Sequence, residues 1–202
     1  MGSGFLNHNV CYLDGEMKKY QIIYADPPWV YKDKSKSHGG GAESHYVCTP
    51  TEELGKLILP AAKDSVLLMW VTYPQLEEGL KLMKLWGFIF KTVAFTWVKT
   101  NKNGTIYMGM GRHTRANAEI CLLGVRGRGI SRKDCGVYNT QLHGRTRHSE
   151  KPIKFMKDIE RLYGDGHNRL EMFARGKKEG WDAWGNEVNS DIEINGAGNH
   201  EI

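Results

Sequence analysis

Asp26, Pro27, Pro28 and Trp29 form the run in this chain most suited to chemistry. They follow a short apolar stretch from Tyr20 that reads as a buried strand. A carboxylate at a strand tip, then two prolines and an aromatic, is an unusual way to end a strand. The prolines fix φ and remove two N–H donors, so the local carbonyls are held in place and cannot continue a sheet. Asp26, with its own or the Pro27 carbonyl, then offers acceptors aimed at one point, and the Trp29 ring offers a wall. Such a constellation suits a flat heteroaromatic amine, whose N–H bonds meet the acceptors while its face stacks on the indole.

The surrounding elements must place this motif. Thr49-Pro50-Thr51-Glu52 has the form of a capping box with proline at the first helical position, and opens a helix ending near Pro60. Ser65–Val71 is a continuous apolar run, hence a strand buried on both faces. Pro74 opens a helix with Leu76, Leu80 and Met83 on one face, closing at Gly87; the Met and aromatic content here is core packing. Strands are expected at about 90–98, 119–125 and 169–174, with a helix from Pro152 presenting Ile153, Met156, Ile159 and Leu162. The alternation predicts an α/β fold with a mostly parallel sheet covered by helices on both faces. Ligands of such sheets lie beyond the carboxyl ends of the strands, where Asp26, Thr72, Lys99 and Arg175 fall. The chain reads as a single catalytic domain over 5–188 and a polar, disordered tail over 189–202. Met1–Gly4 carries no fold information.

The net charge is +5, unevenly placed. Stretches 31–46, 99–117 and 126–148 hold 13 of the 28 Lys and Arg but only Asp33, Glu43 and Asp134 among the acids, so the remainder is net acidic. Basic loops on an acidic body are the footprint expected of a phosphate-backbone binder. The four cysteines are widely spaced without a Cys-x-x-Cys pair, so neither a zinc site nor a disulfide framework is indicated. No apolar stretch has the length of a membrane span and no signal pattern opens the chain, so a cytoplasmic protein is expected.

Five further blocks join the Asp-Pro-Pro-Trp motif: Thr96–Asn101, Ala118–Gly127, Arg147–Pro152, Leu170–Arg175, and Gly180-Trp181 with Trp184–Glu187. Together and in this order they resemble the MT-A70-type methyltransferases, in a compact, bacterial or phage-like form. The resemblance implies a Rossmann-like methyltransferase fold with permuted motif order, consistent with the absence of an early Gly-x-Gly-x-x-Gly. It also implies S-adenosylmethionine as methyl donor and the N6 of adenine as acceptor. Asp26, Pro27, Pro28 and Trp29 become the catalytic residues. Asn9, Val10, Asp26, Lys99, Arg175, Lys177, Asn186 and Glu187 become cofactor contacts, with Lys99 meeting the carboxylate. Gly176-Lys177-Lys178 departs from the Pro-His-Asn run of eukaryotic RNA-methylating relatives, and Lys177 stands in as a substitute contact.

Substrate contacts are expected from Trp29 and Tyr46 to the base, and from Lys32, Arg112, Arg115, Arg128, Arg132, Arg145, Arg147 and His148 to the backbone; His148 serves equally well as a helix-start residue. By analogy with compact family members, DNA is favoured over RNA as partner. The alternatives are RNA methylation, a non-catalytic binder of nucleic acid or a partner subunit, and methylation of a small-molecule or protein amine. A monomer or homodimer is expected.

Overall fold

The structure is a computed structural model that describes residues 12–13, 16–30, 48–111, 113–146 and 150–196. A short hairpin of β1 (Tyr12–Leu13) and β2 (Glu16–Met17) precedes a seven-stranded sheet. Its strands are β3 (Tyr20–Ala25), β4 (Ala61–Val71), β5 (Ile89–Thr100), β6 (Ala118–Arg126), β7 (Thr140–Gly144), β8 (Arg169–Met172) and β9 (Asp182–Trp184), in spatial order β7-β5-β6-β4-β3-β8-β9. Only β6 is antiparallel to its neighbours; the other pairings are parallel. The helices are α1 (Thr51–Leu54), α2 (Leu76–Leu85), entered through a 3-10 turn at Tyr73–Gln75, and α3 (Ile153–Tyr163). The expected α/β architecture, mostly parallel with helices on both faces, is the one observed.

Strand alternation divides the core into two. On one face Ile23, Leu67, Met69 and Leu122 pack with Leu54, Leu82, Met83 and Trp86 from α1 and α2. On the other, Ile22, Tyr24, Leu68, Trp70, Phe95 and Trp97 pack with Phe155, Met156 and Ile159 of α3. Central β3 and β4 are buried on both faces, which is why they read as continuous apolar runs. No helix of the described residues is long and apolar enough to cross a membrane.

Three expectations need correction. The helix expected from Thr51 to Pro60 is one turn long, and the chain then runs directly into β4, which starts at Ala61. β7 and β9 go beyond the sequence reading because both are short, five and three residues; β7 is also polar and sits at the sheet edge with exposed alternate residues, whereas β9 buries Ala183 and Trp184. The segment after Asn189 was expected to be free, yet residues 190–196 are docked. Ile192 and Ile194 are buried, the Asp191 and Ala183 strands of chain exchange hydrogen bonds, and the Ile58 N–H donates to the Asn195 carbonyl at 2.9 Å. Two isoleucines spaced by one residue bury one edge of an otherwise polar segment, a signal too short to outweigh its composition.

Candidate active site

Six strands deliver their carboxyl ends to one side of the sheet, and the reversed β6 delivers its start there. Asp26 follows β3 on the face that α3 covers, two positions beyond Tyr24. Lys151, just ahead of α3, reaches that same point: its Nζ lies 2.5 Å from Asp26 Oδ2 and 3.2 Å from Glu119 Oε2. Glu119 in turn pairs with Lys99, whose ammonium also lies over the Trp97 ring. Asp26, Lys151, Glu119 and Lys99 therefore form a continuous line of alternating charge from β3 across to β5.

Burial makes this line consequential. The side chains of Lys151 and Glu119 are only 6% and 8% exposed, and unpaired charges at such positions would be strongly unfavourable. Burial pushes the Asp26 carboxyl up, with Lys151 acting against it. For Glu119, burial is outweighed by Lys151 and Lys99, which hold its carboxyl below the usual range. Burial would lower the Lys151 ammonium, but Asp26 and Glu119 overcome it and its affinity for the proton is raised. The result is a paired, preorganised network with Asp26 at its open end, where 31% of the side chain remains exposed.

The turn after Asp26 is fastened by its own backbone. The Trp29 N–H donates to the Pro27 carbonyl at 2.9 Å, and the Thr49 N–H donates to the Pro28 carbonyl at 3.0 Å. Of the two carbonyls expected to face an amine, Pro27 is thus already engaged, which favours that of Asp26. The Trp29 indole is 6% exposed and donates its N–H to the Trp70 carbonyl at 3.0 Å. This corrects the expectation of an open stacking wall: here Trp29 anchors the motif to β4.

Two buried side-chain oxygens at the carboxyl end of the sheet lack hydrogen-bond partners among the described residues: Thr72 Oγ1 after β4 and Glu171 Oε2 on β8. Glu171 lies opposite Tyr24 in the parallel register and so shares the α3 face. Burial raises its carboxyl to about 7; Lys178 opposes this, while Asp26 and Glu150 add to it.

Some of the residues expected to meet the cofactor also converge. Arg175 Nε lies 3.6 Å from Glu187 Oε1, with Asn186 adjoining, and Arg175 is close enough to influence the Asp26 carboxyl. Phe173, at φ 60, turns the chain out of β8. A Cβ on Gly185 would stand 2.4 Å from the Ala174 carbonyl oxygen, so only glycine permits this approach of the two strand exits. Lys177 is not part of the convergence: it pairs with Asp191 and fastens the docked C-terminal segment. Lys99 meets Glu119 rather than standing open for a ligand carboxylate.

The basic loops divide. Arg115 and Arg145 stand at the carboxyl end of the sheet, where the Arg145 guanidinium covers the Tyr107 ring at 4.0 Å. Arg128 and Arg132 do not. β6 starts at the site and runs away from it, so Arg128 emerges at the opposite end, paired with Asp64 at 3.2 Å. The adjoining Lys133 N–H reaches the Leu162 carbonyl, near the far end of α3. From Glu119 to Arg126 the strand spans about 24 Å, which removes Arg128 and Arg132 from the site. Asn9, Val10, Lys32, Tyr46, Arg112, Arg147 and His148 lie outside the described residues.

Lys151 and Glu119 were missed as site residues. The signals were present: an acid inside an otherwise apolar strand, and a lysine immediately before the proline that opens α3.

Comparison with known proteins agrees with this geometry. The MT-A70 family model matches residues 20–187. The chain is 37% identical to the type II methyltransferase M.MunI of Mycoplasma sp over 88% of this chain and 82% of that protein. It is 30% identical to the N(6)-adenosine-methyltransferase subunit METTL3 of Danio rerio and 29% identical to the human catalytic subunit METTL3, in each case over 89% of this chain. The chain spans only 30% of the length of either METTL3 protein. With its motif blocks in order on a shared sheet end, the chain belongs to the MT-A70 family of methyltransferases.

Proposed function

We propose that this protein transfers a methyl group from S-adenosylmethionine to the N6 amine of adenine in DNA. The observation that carries the reading is the Asp26 carboxylate, held at the tip of β3 by Lys151 at 2.5 Å and open on its other side. The match along 82% of the type II methyltransferase, against 30% of each METTL3 protein, supports DNA over RNA. A cytoplasmic setting fits such a substrate and donor.

The residues present suit the methyl donor. Its ammonium needs acceptors, and Asp26, Glu171 and Thr72 Oγ1 supply them, two with buried oxygens that lack partners. Its ribose diol needs a carboxylate and polar neighbours, available in Glu187, Asn186 and Arg175. When bound, it supplies an electrophilic methyl group on a sulfonium.

The chain's own residues do the rest. The Asp26 carboxylate and the Asp26 carbonyl accept hydrogen bonds from the amine and hold its lone pair out of the ring system, in line for attack. Lys151 keeps Asp26 oriented and favours its ionised form against burial; Glu119 and Lys99 keep Lys151 in place. These groups are set before reaction, so they act through positioning and electrostatics rather than by prior deprotonation. Asp26 can also accept the proton that the amine gives up as N–C bond formation completes. A duplex adenine must leave its stack to reach this depth.

Methyl transfer from labelled S-adenosylmethionine to matched DNA and RNA oligonucleotides, followed by nucleoside analysis, tests the reading. N6-methyladenine should form in DNA and fall about 100-fold or more in Asp26→Asn. Label appearing only in RNA would overturn the choice of DNA. Full activity of Asp26→Asn would overturn the mechanism.

A further inference from the structure

Between β5 and β6 the chain builds a finger from the same end of the sheet as Asp26. Both legs are fixed to one residue: the Lys99 N–H donates to the Asn117 carbonyl, and the Tyr107 N–H donates to the Lys99 carbonyl, each at 2.8 Å. Lys99 is itself the last member of the charge line leading to Asp26. The finger thus rises directly from the rim of the site.

Its two sides differ by design of sequence. Alternate residues Ile106, Met108 and Met110 point outward and are 54%, 68% and 90% exposed. The inward positions are Gly109 and Gly111. A Cβ on either would lie 1.9 Å from the carbonyl oxygen of Ala116 or Thr114, so the legs are in backbone contact and the finger is narrow and braced. The Arg145 guanidinium on the Tyr107 ring braces its base. Ile106, Met108 and Met110 thus form an exposed apolar row on a braced finger, at the end of the sheet that carries Asp26, and such a row points to a partner.

We propose that Met110 is a wedge that enters the base stack of duplex DNA and fills the gap left when the target adenine turns into the site. The proposal rests on the reading of that site as a DNA adenine methyltransferase. Methionine is unbranched and adaptable, and apolar side chains of this kind insert between base steps and unstack them. Charge selects the occupant. Residues 99–117 carry Lys99, Lys102, Arg112 and Arg115 and no acid. Lys102 and Arg115 make no ion pair among the described residues, which leaves their charges for phosphates. A second copy of the chain, facing itself across a two-fold axis, would set these cations against each other.

The test compares two short duplexes carrying an adenine that the wild-type protein methylates, mapped beforehand on plasmid DNA. In one the adenine is paired; in the other it faces an abasic site and needs little help to leave the stack. Met110→Ala should lose about ten-fold in kcat/KM on the paired duplex and come within about two-fold of wild type on the abasic one. Met110→Leu should retain activity on both, and melting temperature and cofactor affinity should be unchanged. An equal loss on both duplexes, or none on either, overturns the wedge. So does a loss accompanied by a change from dimer to monomer in sedimentation, which would make the finger a contact between copies. If the wild type methylates no DNA, the functional reading itself fails, an outcome separate from failure of the wedge alone.

Discussion

Lys151 Nζ lies 2.5 Å from Asp26 Oδ2 although 125 residues separate them in sequence. The contact joins the strand that opens the sheet to the helix that covers it, and it opposes the effect of burial on the central carboxylate. Burial and Glu119 push the Asp26 carboxyl up, toward its neutral form, which is the weaker acceptor for an amine; the adjoining ammonium works against them.

Lys151→Met should therefore cost activity through Asp26 as well as stability. Without the cation, burial and Glu119 both raise the Asp26 carboxyl further. The acidic limb of the kcat–pH profile should move to higher pH, with turnover down at least about 100-fold at pH 7. Leaving two carboxylates without their shared cation should destabilise the fold by about 3 kcal/mol, read by urea denaturation. An unmoved acidic limb would show that Lys151 does not act through Asp26.

Glu171 gives a pH effect of its own. Its carboxyl is raised in the fold to about 7 from 4.5. Below about pH 4.5 it is protonated in both states and has no effect. As pH rises toward 7 the unfolded chain releases this proton first, so stability falls; above about 7 the penalty is constant. Glu171→Gln should remove that decline and stabilise the free protein at pH 8 by on the order of 1–2 kcal/mol, after allowance for partial exposure. Cofactor affinity should fall in the same variant if Glu171 meets the donor's ammonium. Parallel stability–pH curves for the two proteins would count against the raised carboxyl.

The division of the basic loops can be read from salt dependence. Arg115→Ala and Arg145→Ala should each weaken DNA binding and lower the slope of log K against log salt by about 1. Arg128→Ala and Arg132→Ala, at the other end of the sheet, should leave the slope unchanged. A reduced slope for Arg128→Ala would require a DNA path around the far end of the molecule.

Gly185→Ala tests the convergence of β8 and β9. The added methyl group meets the Ala174 backbone at 2.4 Å from its carbonyl oxygen and 2.7 Å from its nitrogen, so the strand exits must separate. Arg175 and Glu187 then part, and calorimetry should show cofactor affinity down about ten-fold with stability lower by about 1–3 kcal/mol. Unchanged affinity would remove this corner from the cofactor site.

Much was legible in the sequence because it depends on near neighbours along the chain. The apolar runs of β3, β4 and β6 and the helical spacing before and after them identify an α/β sheet, since period and burial are local properties. The position of Asp26 at a strand tip follows in the same way, and the ordered motif blocks carry the family. What the tertiary structure decided is direction and face. Whether β6 runs with or against its neighbours is not written in its composition, yet that one reversal brings Glu119 to Lys99 and Lys151 and carries Arg128 and Arg132 away. Trp29 turned inward for a related reason: the Trp70 carbonyl that accepts its N–H lies on a strand 41 residues away. Charge pairing in a buried site is set by which side chains share a face, and only the packed sheet and its helices determine that.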